Sequence, residues 1–133
     1  MKSPITVADA PGAIGPYVQA QVVRLHGGAR MVFTSGQIGL DPATGELVAG
    51  GIAEQAEQVF VNLAAVLRGA GLTLADAVKS TVYLADMQDF AAMNQVYASH
   101  FPSEPPARTT IAAAGLPRGA RVEMDVVAVG RDR

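Results

Sequence analysis

Two rhythms of apolar and polar residues run along this chain. Gln19 to Leu25 and Arg30 to Thr34 read as two strands around a His26-Gly27-Gly28 turn, a hairpin signal. Asp41-Pro42-Ala43-Thr44-Gly45 carries the Asp, Pro and Gly of a surface turn. From about Gly51 to Arg68 the period changes: Ile52, Ala56, Val59, Phe60, Leu63, Val66 and Leu67 recur in steps of three and four. That spacing predicts a helix with one apolar stripe, and Gly69 and Gly71 supply its stop. Val78 to Leu84 alternates as a strand. Asp89 to Phe101 reads as a second helix burying Phe90, Met93, Tyr97 and Phe101, ended by Pro102. Ala107 to Ala113 and Arg121 to Val129 are the last strands, separated by a Gly115-Leu116-Pro117-Arg118-Gly119 turn. The predicted order is β-β-α-β-α-β-β, an α+β fold with both helices on one face of the sheet.

The last strand changes the picture. Val122, Met124, Val126 and Ala128 suit packing under helices, whereas Arg121, Glu123, Asp125, Val127 and Val129 share the other face. Val127 and Val129 are poor choices for a face that meets only water. A sheet whose open side is covered by neighbouring subunits fits better, with the charges in or beside an interface cleft.

Composition narrows the chemistry. The 133 residues fit a single domain over 1–133, and 50% hydrophobic with 17% charged residues is a globular composition whose low charge hints at burial between subunits. A net charge of −2 gives no basic field for nucleic acid. With no cysteine there is no disulfide, thiolate catalysis or thiolate metal site. His26 and His100 form no ligand pair, so no metal site is expected. Met1 to Pro11 lacks the basic and apolar regions of a signal peptide, and no apolar run approaches ~18 residues. No membrane span and a cytoplasmic location are the expectations.

Few residues remain for catalysis. Ser35 lacks the glycine two residues earlier that a nucleophile elbow needs; a turn serine bonding to backbone is the competing reading. His100 reads as a residue favoured by the dipole at the C-terminal end of the second helix rather than as a base. Arg108 follows the stiff Pro105-Pro106-Ala107 and opens a strand of small residues, where its fork can grip a carboxylate. A surface ion pair is the alternative. Glu123 reads either as a water-positioning carboxylate or as a partner for Arg121 or Arg108.

Several segments carry a resemblance. Ala10-Pro11-Gly12-Ala13-Ile14-Gly15-Pro16-Tyr17-Val18-Gln19, Thr34-Ser35-Gly36-Gln37-Ile38, and Asp41-Pro42-Ala43-Thr44-Gly45-Glu46 look like motifs of the RidA (reactive intermediate deaminase) family. Asp89-Phe90-Ala91-Ala92-Met93-Asn94, Pro106-Ala107-Arg108-Thr109 and Leu116-Pro117-Arg118-Gly119-Ala120-Arg121-Val122-Glu123 continue it in the family's order. The resemblance implies a chorismate-mutase-like fold, a mixed sheet backed by two helices. It implies a homotrimer around a central barrel, with sites between subunits. It also implies hydrolysis of 2-aminoacrylate (2-iminopropanoate) and 2-iminobutanoate to 2-keto acids and ammonia, without metal or organic cofactor. By position, Arg108 matches the arginine that binds the substrate carboxylate and Glu123 the acid that holds the attacking water. Tyr17, Ser35, Gly36 and Asn94 match groups around the substrate. Thr110 stands where several family members have cysteine, at a place that works mainly through backbone.

Two departures bear on the substrate: a longer hairpin through Arg24 to Arg30, and the small residues of Thr109-Thr110-Ile111-Ala112-Ala113-Ala114-Gly115. Three rivals follow. One is a deaminase of a larger enamine acid such as 2-aminomuconate. Another is a ribonuclease or translation inhibitor, against which the acidic balance and the lack of a basic-aromatic stripe count. The third is a non-enzymatic trimer that only binds small acids, against which Arg108 and Glu123 weigh.

Overall fold

The stripe read over Gly51 to Arg68 becomes helix α1, Ile52–Gly69, in the computed structural model, which describes residues 1–131. The last two positions of the unit expected over 1–133 therefore lie outside the described residues. Glu54 begins the helix by accepting the Gly51 N–H at 2.9 Å. Val59, Phe60, Leu63, Val66 and Leu67 are buried along its inner face. The stripe omits three buried residues, Gln55, Ala65 and Asn62, the last of them fully buried. Its Nδ2 donates to the carbonyls of Ile38 (3.3 Å) and Leu40 (2.9 Å), so the helix pins the segment that follows Gly36.

Seven strands form one mixed sheet: β1 (Lys2–Ile5), β2 (Ala20–Arg24), β3 (Ala29–Thr34), β4 (Gln37–Ile38), β5 (Ala77–Leu84), β6 (Ala107–Ala112) and β7 (Val122–Arg131). Their order is β1-β2-β3-β7-β5-β6, with β4 also on β7. Only β5 and β6 run parallel, and helix α2 (Phe90–His100) is the crossover that a parallel pair requires. The expected hairpin is present; Gly27 and Gly28 turn it at φ of +75° and +80°, a region costly for other residues.

The architecture is the expected α+β sheet with its helices on one side, plus two strands that the alternation did not show. Strand β1 contains Pro4 and is mostly exposed, so no inside–outside contrast marks it. Strand β4 is two residues long, too short for a period. A third difference concerns Phe90, which is half-buried rather than in the core.

The two faces of β7 are sharply unlike. Val122, Met124, Val126 and Ala128 are buried against α1 and α2. Glu123, Asp125, Val127 and Val129 point to the open face, joined there by Phe33 and Ile111 at 42% and 45% exposure. A single chain leaves these apolar side chains in water.

Candidate functional site

On the open face, Glu123 and Asp125 stand side by side on β7, both half-buried. Neither has a cationic partner among the described residues. Burial pushes the Glu123 carboxyl above its ordinary pKa, and the neighbouring Asp125 charge adds to the effect. Burial raises Asp125 as well. Tyr83, cross-strand from Glu123, is raised too, by the Asp125 charge first, then by burial and by Glu123.

Around Glu123 lies a cleft of about 310 Å³ lined by Tyr17, Ser35, Gly36 and Pro117. Gly36 is where the backbone must come close: a Cβ there would stand 2.9 Å from Glu123 Cδ. Ser35 donates its hydroxyl to the Val18 carbonyl at 2.5 Å, the backbone-bonded turn serine of the competing reading. Tyr17 is held over the cleft by a segment that Gln19 organises. The buried Gln19 amide accepts from Val7 N (2.6 Å) and donates to the carbonyls of Pro11 (2.8 Å), Val7 (3.2 Å) and Ala10 (3.3 Å). Gln19 sits inside the N-terminal motif, but nothing in the residue pattern announced this anchoring role.

Arg108 lies elsewhere. Register pairs it with Ser80 on β5, and Ser80 with Val126 on β7, so its side chain is on the helix face. There one guanidinium nitrogen donates to Asn94 Oδ1 at 2.8 Å. The planar group rests on Tyr97, 4.6 Å from its ring centre, and 5.5 Å from that of Phe90. The ion pair weighed as an alternative is not formed among the described residues. Arg108 is instead held by an amide and two rings, with the rest of its fork unspent. Thr110 follows on the same face, its hydroxyl oxygen buried without a hydrogen-bond partner.

The structure thus makes two groups: Tyr17, Ser35, Gly36 and Glu123 on the open face, and Asn94, Arg108 and Thr110 on the helix face. It does not bring Arg108 and Glu123 together within one chain. Arg121, the other partner considered for Glu123, is turned to Asp89 at 2.7 and 3.1 Å. His100 closes α2, bonded to Glu57 at 2.9 Å and stacked on Phe60 with ring centres 4.2 Å apart, far from a base's role. Among the described residues no cluster of three or more His, Asp or Glu side chains could hold a metal ion. No helix there is long and apolar enough to cross a membrane.

Known proteins place these features in context. The model of the family described as Endoribonuclease L-PSP matches residues 7–130. A human protein named 2-iminobutanoate/2-iminopropanoate deaminase is 46% identical over 125 residues, covering 94% of this chain and 88% of its own. The crystal structure of yeast Mmf1 superposes with a TM-score of 0.91 at 39% identity, over 98% of this chain and all of that one. That of RidA from an Antarctic Psychrobacter gives 0.86 at 41% identity, over 95% and 98%.

Proposed function

The chain belongs to the endoribonuclease L-PSP (Rid) family, and from that premise we propose that it hydrolyses 2-iminopropanoate and 2-iminobutanoate, with their enamine tautomers, to 2-keto acids and ammonia. The observation that carries the proposal is a pair of uncommitted charges: a guanidinium held by neutral partners, Asn94, Tyr97 and Phe90, and, on the opposite face of the sheet, a half-buried carboxylate with no cation against it among the described residues. Arg108 takes the substrate carboxylate in its fork and so orients C2. Glu123 holds a water and accepts a proton as the oxygen adds to C2, which moves the C=N electron pair onto nitrogen. Protonated nitrogen then leaves as ammonia when the carbinolamine collapses to the keto acid. Imines hydrolyse in water unaided, so a modest barrier reduction suffices. Release of both keto acid and ammonia from freshly generated 2-imino acids, faster than in buffer, is the expected result. No acceleration with any of them would reject the reading.

Since Arg108 and Glu123 face opposite sides of the sheet, the working site takes Arg108 from one subunit and Glu123 from the next. The homotrimer implied by the resemblance supplies such clefts and covers Phe33, Ile111, Val127 and Val129. Sedimentation should give a trimer. Complementation tests the division more sharply. Arg108→Ala and Glu123→Gln chains, each strongly impaired alone, should regain activity well above either when unfolded and refolded together. With random assembly of an equal mixture, roughly a quarter of the clefts receive both native residues. Mixed trimers no more active than either variant would place both residues in a same-chain site, against the reading.

Gly36 offers a milder test. Gly36→Ala pushes the Glu123 carboxyl aside without straining the backbone. A displacement of about an ångström should lower kcat by about 10- to 100-fold with the melting temperature little changed. Unaltered kcat in the folded variant would show that Glu123 need not occupy that spot.

A further inference from the structure

The Asp89–Arg121 bridge has a place in this fold that neither the deaminase chemistry nor the packing of the core uses. Asp89 is the residue immediately before α2, and its side chain is only 11% exposed. Both of its carboxylate oxygens are taken by Arg121, at 2.7 Å from Nη2 and 3.1 Å from Nε. Arg121 is itself tied at the backbone: its N–H donates to Gln55 Oε1 of α1 at 2.9 Å, and its carbonyl accepts from Ala85 N at 3.0 Å. Its guanidinium lies against Gly51, at the start of α1. One fixed arginine therefore holds the beginning of α2.

The other end of α2 is held differently. Tyr97 bonds Ser80 at 2.6 Å, and Tyr97, His100 and Phe101 gather around Phe60. Between the two anchors lie Phe90 and Asn94, the first-turn ring and the amide that flank Arg108. Tyr97, the third neighbour of Arg108, belongs to the aromatic anchor and stays in place without the bridge.

We infer that Asp89 and Arg121 are a positioning pair that fixes the first turn of α2, so that Phe90 and Asn94 present the Arg108 fork for a substrate carboxylate. The inference rests on the deaminase reading and deepens it. It assigns the pair to substrate binding and separates it from the water-handling step: Arg121 precedes Glu123 by two residues, yet β7 is held by strands on both sides and keeps its place when the bridge is cut.

The test uses a cycle of Asp89→Ala, Arg121→Ala and the double variant in the full chain. Arg121→Ala leaves a buried carboxylate unpaired and should lower the melting temperature; the double variant removes that charge and should recover most of it. KM behaves otherwise, because the tether is missing in all three. KM for 2-iminobutanoate should rise about 10-fold in each, the double variant included, with kcat within about 3-fold of the parent. Arg121→Lys, which keeps a charge but not the two-pronged contact, should restore part of the loss. Calorimetric binding of 2-ketobutyrate should weaken in parallel with KM. A double variant whose KM returns with its stability would reduce the bridge to a fold-stabilising contact and overturn the inference. So would a fall in kcat at unchanged KM. A parent chain that binds 2-ketobutyrate, loses that binding in the cycle and turns over no imine would sink the deaminase reading alone. A parent that neither binds nor turns over would sink both.

Discussion

Arg108→Ala is expected to reduce kcat/KM on 2-imino acids by roughly 100-fold or more, the loss typical of removing one side of a desolvated, hydrogen-bonded charge pair. The variant should remain folded, because Arg108 sits on the edge strand β6 and its contacts, Asn94, Tyr97 and Phe90, are neutral groups that its loss does not leave as unpaired charges. Arg108→Lys separates charge from shape. Lysine keeps the positive charge but brings neither the fork nor a plane that lies on Tyr97, and an exposed-stem ammonium will wander where the guanidinium is held. An intermediate loss of about 10-fold or more is expected, mostly in KM. Keto-acid production, followed with circular dichroism to check folding, measures both. Near-parental turnover by a folded Arg108→Ala chain would remove the carboxylate anchor from the mechanism.

Much of this arrangement can be read from residue order, and where reading stops has physical causes. Helix α1 is legible because each turn repeats the burial of the last, so Val59, Phe60, Leu63, Val66 and Leu67 mark a face. Strand β7 is legible for the same reason with a period of two, and its open-face valines already called for cover. Periodicity fails where a buried group is polar: Asn62 and Gln19 look like surface residues in a sequence, and only their carbonyl partners in other segments explain their burial. It fails again for Arg108. The parity of β6 and that of β7 can each be read alone. Which face of one matches which face of the other depends on the pairing of Ser80 with both Arg108 and Val126. In the proposed reading, that register divides the candidate site between two chains. Motif resemblance names Arg108 and Glu123 together, whereas one folded chain holds them apart.

Glu123→Gln is the second large effect, and it separates water handling from binding. The amide keeps the size of the side chain but cannot take a proton from water, so kcat should fall by ~100-fold, the lower end for a general base, because imine hydrolysis is easy. Binding of 2-ketobutyrate through Arg108 should persist, since the two side chains come from opposite faces of the sheet. Unchanged kcat with lost binding would give Glu123 a purely structural part. Stability should move the other way from activity. Burial and Asp125 make the folded carboxyl hold its proton to higher pH than the unfolded chain does. Its ionisation therefore opposes folding: the favourable contribution is complete below the unfolded pKa and disappears as pH rises through the folded value. Glu123→Gln should thus unfold no earlier than the parent at neutral pH, and its stability should fall less as the pH rises across that window. The same shift should set the pH dependence of catalysis. Only ionised Glu123 accepts a proton, so kcat/KM should climb with pH along a limb lying above the ordinary glutamate range. Asp125→Asn removes the neighbouring charge and should move that limb to lower pH, while the remaining shift, due to burial, stays. A limb that does not move in Asp125→Asn would mean that another group sets the pH dependence of the reaction.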